Sequence, residues 1–202
     1  MKKNRIIKGN YGYILYSRKK SLIRSIISVA LCFAIFLTGL VMYGSNKNYF
    51  SIIAALGCLP MGISVVNCIM FYRSGFCSSS SYEKIQKHKG GLFVQYDLEM
   101  TSEKENYSVA AVTVIEKNVC CFTEDRKLDI PDCERHILLQ ISQSGYSHYA
   151  VKVYKDIDEF CKRLDQLEKL RAARNVDPFA IEESWVPGTT QTAASVLRSV
   201  SL

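Results

Sequence analysis

The stretch Ser51–Arg73, SIIAALGCLPMGISVVNCIMFYR, has no charged residue before Arg73, yet it contains Pro60, Gly57, Gly62 and Asn67. Whether it forms the core of a globular domain or a segment that lives in lipid decides the fold. It is long enough to cross a hydrocarbon core about 30 Å thick, which takes roughly 20 helical residues. A second uncharged run, SIISVALCFAIFLTGLVMY at Ser25–Tyr43, meets the same requirement. Both runs are apolar around the whole helix and lack the polar stripe of a helix packed at a protein surface. That argues against two core helices of a soluble domain. The polar and basic residues ahead of the first run argue against a cleaved signal peptide.

Charge separates the chain into two parts. Residues 1–82 hold ten Lys or Arg and no Asp or Glu, whereas residues 83–202 hold sixteen basic and nineteen acidic residues. The net charge of +7 and the pI near 8.9 therefore come from the flanks of the apolar runs. A mildly acidic remainder would repel phosphate backbones, so nucleic acid is not an expected partner. Lys2, Lys3, Arg5, Lys8, Arg18, Lys19, Lys20 and Arg24 precede the first run, and Arg73, Lys84, Lys87 and Lys89 follow the second. The intervening loop has Lys47 alone. The positive-inside rule puts both chain ends on the cytoplasmic side of a cytoplasmic (inner) membrane, in a multi-pass protein whose first partner is the lipid bilayer.

The expected organisation is a basic segment at 1–24, transmembrane helices at 25–43 and 50–72, and a short extracytoplasmic loop at 44–49. A cytoplasmic domain at 78–176 and a poorly ordered tail at 177–202 complete it. Pro60 predicts a kink in the second span, because proline withholds an N–H and crowds the preceding turn. Gly57, Gly62 and Ser64 are small enough for close helix approach, and Asn67 can hydrogen-bond across such a contact. These five positions are the candidate helix contacts in the membrane, within the hairpin or in a homo-oligomer. No ionisable Asp, Glu, Lys or Arg lies inside either span, which weakens a transport or proton-relay reading.

The fold class expected is a membrane α-helical hairpin plus a small α+β domain in the order helix, three-stranded antiparallel meander, helix, strand, helix. Tyr82–Lys89 reads as a helix stopped by Gly90 and Gly91. LFVQYDLEM alternates, with Leu92, Val94, Tyr96, Leu98 and Met100 on one face. YSVAAVTVIEKNVCCFTE reads as two strands folded at Glu116-Lys117-Asn118. Pro131 suits the first turn of a helix ending near Ser144, Tyr149–Tyr154 alternates as a fourth strand, and Asp156–Arg174 is strongly amphipathic. Ile157, Phe160, Leu164 and Leu167 on that last helix are expected to pack on Leu92, Val94, Tyr96 and Leu98.

Candidate chemistry is sparse. A helix, three strands, a helix and a strand is the element order of the restriction-endonuclease-like core. There, an acidic residue on one strand and a D/E-x-K on the next hold a divalent cation and stabilise phosphate charge. Asp97 with Asp125-Arg126-Lys127 can be matched to it, which makes Asp97, Asp125 and Lys127 the candidate nuclease residues. Cys121, Cys133 and His136 are candidate zinc ligands. Cys120 and Cys121 point to opposite faces of a strand, so only three ligands can meet, one short of a structural site. Buried thiols are the plainer reading. No phosphate-binding Gly-rich loop or nucleophile elbow is present, and no cofactor is expected.

KGNYGY at Lys8–Tyr13, GCLP at Gly57–Pro60, VVNCIMFYR at Val65–Arg73, YDLEMTS at Tyr96–Ser102, FTED at Phe122–Asp125 and CERHI at Cys133–Ile137 carry a resemblance. The chain resembles a family of short two-span membrane proteins from Gram-positive anaerobic bacteria, sometimes labelled O-linked GlcNAc transferase-like. The resemblance implies a bacterial setting and the two-span topology and brings no catalytic residue with it. The helical repeats and large nucleotide-sugar domain of that transferase exceed what residues 78–176 can hold. The function expected is a non-enzymatic membrane anchor that presents a small α+β module to a protein partner. A membrane-tethered nuclease-like effector and an accessory subunit of a glycosyltransferase are the alternatives.

Overall fold

The computed structural model describes residues 6–45, 48–102, 105–183 and 192–202. The chain divides into two compact units, Ile14–Ser74 and, together, Met1–Tyr13 with Gly75–Leu202.

The first unit is a hairpin of α1 (Tyr13–Tyr43) and α2 (Tyr49–Arg73), both long and apolar enough to cross a membrane. α1 starts twelve residues earlier than its apolar run. The stretch from Tyr13 to Arg24 contains no Gly or Pro, and Lys, Arg and Leu are good helix formers, so the change in polarity at Ser25 does not end the helix. α2 continues through Pro60. Only 11% of the most apolar window of either helix is buried, which sets these helices apart from the core of a soluble domain.

The second unit is a four-stranded mixed sheet with helices on both faces. α3 (Ser79–His88) precedes β1 (Val94–Thr101), β2 (Asn106–Ile115) and β3 (Asn118–Phe122). α4 (Ile130–Gln143), β4 (Ala150–Tyr154), α5 (Ile157–Arg174), α6 (Pro178–Glu183) and α7 (Ala193–Val200) follow. The sheet order is β1-β2-β3-β4, antiparallel through β3, with β4 parallel to β3. Helix α4 supplies the crossover that a parallel pair requires. Its start is set by Asp129 as N-cap and Pro131 in the first turn, while α5 is capped by Asp156 and closed by Asn175 in the left-handed region. The β2–β3 turn places Glu116 at φ 51°, as a tight hairpin demands.

One face of the sheet carries α3 and α5. There Phe160, Leu164 and Leu167 pack with Ile85, Leu92, Tyr96 and Phe122. The other face carries α4 and α7, with Ile137, Ile141 and Leu197 against Leu98, Met100, Val109 and Val112. The alternation expected of β1 therefore breaks. Leu92, Val94 and Tyr96 lie on the α5 face as expected, but Leu98 and Met100 lie on the opposite one. The cause is Asp97, whose φ of 55° puts it in the left-handed region and turns the strand over. β2 answers at the same level, where the adjacent Ala110 and Ala111 both face α5 while Val109 and Val112 face α4.

The expectation of a poorly ordered tail fails over residues 192–202. Thr192 caps α7 through its side chain, Leu197 is fully buried, and Leu202 N–H donates to Glu99 O at 2.7 Å. Met100 and Ser201 form an antiparallel bridge on the outer edge of β1. The Ser- and Thr-rich composition concealed an apolar stripe of Ala193, Val196 and Leu197 at helical spacing. The rest of the expected tail includes α6, and residues 184–191 lie outside the described residues.

Candidate functional site

Asp97 is a buried acidic residue on β1. It is 1% exposed, and its carboxylate accepts the backbone N–H of Cys77 at 2.8 Å and of Gly12 at 2.7 Å. Gly12 immediately precedes α1 and Cys77 lies three residues after Ser74, so one buried carboxylate holds both the chain entering the hairpin and the chain leaving it. Charge-assisted bonds to backbone N–H groups are among the stronger hydrogen bonds in a protein.

The segment before α1 is fitted to the domain by its side chains as well. Tyr96 N–H donates to Gly9 O at 2.8 Å on the free edge of β1. Tyr11 stacks on Tyr82 with ring centroids 3.9 Å apart and meets Tyr96 edge to face at 6.2 Å. Lys8 Nζ donates to the carbonyl of Ser201; burial, and secondarily the Arg198 guanidinium, hold the Lys8 ammonium below its ordinary range. The N-terminal segment and the C-terminal residues thus cover an edge that would otherwise offer unpaired backbone groups to another strand. Gly12 at φ +81° and Gly9 at φ +88° supply the bends; an added Cβ on Gly9 would also lie 3.3 Å from Arg198 Cδ.

A second carboxylate continues the arrangement. Glu124 Oε1 accepts Ser78 N–H at 3.1 Å and Ser78 Oγ–H at 2.8 Å at the N-terminus of α3, where negative charge is favoured. Between the two acids, the Cys77 thiol is pushed up to about 12 by burial first, then by Glu124 and Asp97. It stays protonated at neutral pH, and a protonated thiol is no nucleophile.

The nuclease candidates fall in different settings. Asp97 lies on β1, Asp125 and Lys127 follow β3, and β2 separates the two strands. β2 itself, the strand next to Asp97, has neither an acidic residue nor a lysine. Asp125 and Lys127 are exposed, and Asp125 Oδ1 accepts Lys127 N–H at 2.9 Å in a local turn. The three side chains are therefore not placed as a D and D/E-x-K pair on successive strands.

The zinc candidates separate too. Cys121 and Cys133 are buried together under α4, and burial pushes both thiols up, Cys133 to about 12. His136, one turn along α4, sits beside Tyr107 at a ring separation of 5.3 Å; burial lowers its pKa, with Asp132 acting the other way. No group of three His, Cys, Asp or Glu able to hold a metal occurs among the described residues. Tyr107, His136, Asp132, Arg135 and Leu139 instead line an open groove of about 790 Å³. Tyr107 donates to Asp132 Oδ2 at 3.2 Å, Asp132 also pairs with Arg135, and Leu138 and Leu139 are exposed nearby.

In the hairpin, Gly57 is a close-approach position, since a Cβ there would lie 3.0 Å from Cys32 Sγ, whereas Gly62 has open space. Ser64 Oγ donates to Pro60 O at 3.0 Å and Ser64 O accepts Ser25 Oγ–H from α1 at 2.8 Å. Asn67 is exposed. A further close contact of the hairpin joins Asn48 and Gly39. Asn48 caps α2 through Oδ1 to Ser51 N–H at 2.8 Å, while its Nδ2 donates to Gly39 O at 3.0 Å and Ser45 O at 2.7 Å. A Cβ on Gly39 would come within 2.7 Å of Asn48 Oδ1. At the opposite end of the hairpin, Arg18 donates to Phe71 O at 2.9 Å and Ser74 O at 2.5 Å, with its guanidinium 5.8 Å from the Tyr72 ring centroid. The signals were in the sequence: an Asn three residues before Ser51 is an N-cap pattern, and Gly-x-x-Gly at Gly9–Gly12 is a turn pattern.

Comparisons with protein-family models, with curated proteins and with solved structures found no match to this chain.

Proposed function

We propose that the protein is an integral membrane anchor of the bacterial cytoplasmic membrane, which holds a small mixed-sheet module at the cytoplasmic face for contact with another protein. One observation carries the reading. Of the 28 large apolar side chains exposed among the described residues, 22 fall between Leu15 and Tyr72, a density that water does not tolerate and lipid requires. The Arg18 contacts bring the start of α1 beside the end of α2, so the two connections to the sheet unit leave from the same end of the hairpin. The excess of Lys and Arg flanking that end supports a cytoplasmic position for it.

A role in contact rather than catalysis is supported by how the reactive side chains are engaged. Asp97 is bonded to two backbone N–H groups, and Cys77, Cys121 and Cys133 are held as thiols. The groove along α4, with Arg135 and His136 beside the exposed Leu138 and Leu139, is the surface offered to the partner. The experiment is alkaline carbonate extraction of membranes from expressing cells. The intact chain stays in the pellet, and a variant with Ile26→Asp, Ile52→Asp and Ile63→Asp moves to the supernatant. Release of the unmodified chain by carbonate would exclude the anchor.

A further inference from the structure

Arg18, Lys19, Lys20, Arg24 and Arg73 stand at the end of the hairpin where α1 begins and α2 finishes, and all of them belong to the unit Ile14–Ser74. They divide by how they are engaged. Arg18 is used inside the unit, where its guanidinium donates to Phe71 O and Ser74 O and faces the Tyr72 ring. Lys19, Lys20, Arg24 and Arg73 are exposed, and none of their side chains has a hydrogen bond or ion pair among the described residues. The neighbouring sequence offers no counter-charge either, since residues 1–82 contain no Asp or Glu.

The heights of these cations fit one layer. At about 1.5 Å per helical residue, Arg24 lies about 1.5 Å and Lys20 about 7.5 Å before Ser25, where the uncharged run of α1 begins. Arg73 is the last residue of α2 and directly follows the second uncharged run. A bilayer about 40–45 Å thick around a core of about 30 Å leaves roughly 5–8 Å of headgroup on each side. Arg24, Lys20 and Arg73 fall within or at the edge of that layer, and the long side chain of Lys19 reaches it from the next residue out. Lys20 and Arg24 are also four residues apart on one helix, so their like charges are neighbours and destabilise it unless an anion lies between them.

We propose that this end of the hairpin is a binding surface for anionic phospholipids, with a headgroup phosphate bridging Lys20 and Arg24 and the charges of Lys19 and Arg73 adding to the attraction. The inference rests on the membrane reading above. An ammonium and a guanidinium one helical turn apart can both donate to one phosphate in charge-assisted bonds. Zwitterionic phosphatidylcholine has the same phosphate, but its own ammonium offsets that charge and would face four cations. A free phosphate ion meets these exposed side chains in high dielectric, where the attraction is weak; a lipid phosphate is held at their depth by its acyl chains.

The test uses the full chain reconstituted in phosphatidylcholine vesicles that carry a trace of spin-labelled phosphatidylglycerol or spin-labelled phosphatidylcholine. Electron paramagnetic resonance measures the share of each label immobilised at the protein. Phosphatidylglycerol associates about fivefold more tightly, the size expected of one cation near an anionic headgroup. Lys20→Gln combined with Arg24→Gln brings the ratio close to one, and inorganic phosphate displaces the lipid no better than chloride at equal ionic strength. The comparison of the two lipids on the unmodified chain decides the matter even where the variant does not insert. Equal association of the two lipids, an undiminished preference in an inserted variant, or displacement by phosphate beyond that by chloride overturns the proposal and leaves the anchor standing. Failure of the unmodified chain to enter the vesicles overturns the anchor reading and the proposal with it.

Discussion

In the hairpin the large apolar side chains face outward and the polar groups are satisfied by the helices themselves; in the sheet unit the arrangement is the reverse. Ser28, Thr38 and Ser64 each return their hydroxyl to the carbonyl four residues earlier, and Ser25 reaches Ser64 O on the neighbouring helix. Such bonding leaves little for the surrounding medium to supply, which is the condition for crossing a bilayer. The sheet unit instead closes two apolar cores around its strands and meets the buried Asp97 carboxylate with two backbone N–H groups. Within the sheet unit, Asp97 holds the segments that flank the hairpin in sequence, at Gly12 and at Cys77.

The contrast is broken most severely in the cores of the sheet unit. Phe160 is fully buried between Phe122 and Tyr154, so Phe160→Ala should cost about 3–5 kcal/mol, most of the stability of so small a domain. Leu197→Ala should cost about 2–5 kcal/mol, although it lies only five residues from the end of the sequence. Thermal and urea unfolding of the sheet unit, followed by near-ultraviolet circular dichroism, measures both. If Leu197→Ala leaves unfolding unchanged, α7 is not part of the core.

A smaller effect sharpens the role of Asp97. Removing its carboxylate leaves the buried Cys77 N–H and the half-buried Gly12 N–H without this acceptor, at roughly 1–3 kcal/mol for a buried group and less for a half-buried one, so Asp97→Ala should destabilise the sheet unit by about 2–4 kcal/mol. Asp97→Asn keeps one acceptor and the tolerance for positive φ, and should lose about half as much. Hydrogen exchange at Gly12 and Cys77 should rise in both variants. Unchanged protection at these two amides would remove Asp97 from the junction.

The smallest effect is expected at the exposed turn after β3. Asp125→Ala and Lys127→Ala should each change stability by less than about 0.5 kcal/mol, as exposed substitutions usually do, and leave any cellular phenotype in place. Metal-dependent cleavage of DNA or RNA by the purified protein, lost in both variants, would favour a nuclease over an anchor.

Much of this architecture was legible in the sequence because it rests on periodicity. The two uncharged runs, the alternating strands and the amphipathic stripe of α5 each bury or expose a continuous face, and such faces survive as patterns. What escaped depends on single residues. The change of face in β1 hangs on the φ of Asp97, and an aspartate in a strand gives no sign of it. The early start of α1 is hidden because the change of polarity at Ser25 does not coincide with the helix boundary at Tyr13. α7 was hidden by the Ser and Thr around its short stripe. Asp97 was visible as a candidate acid and Glu124 was not, and the partners of both, Gly12 and Cys77 for Asp97 and Ser78 for Glu124, are brought together only by the fold.

The most direct measurement places each unit relative to the bilayer. Single cysteines at Ser45, in the hairpin loop, and at Ser147, exposed between α4 and β4, are treated in intact cells with a membrane-impermeant maleimide, against the parent chain as background. The native Cys133 cannot serve, since it is buried. A two-span anchor with both ends inside predicts labelling of Ser45→Cys in intact cells and of Ser147→Cys only after the membrane is permeabilised. Labelling of Ser147→Cys from outside, or protection of both sites until permeabilisation, would contradict it.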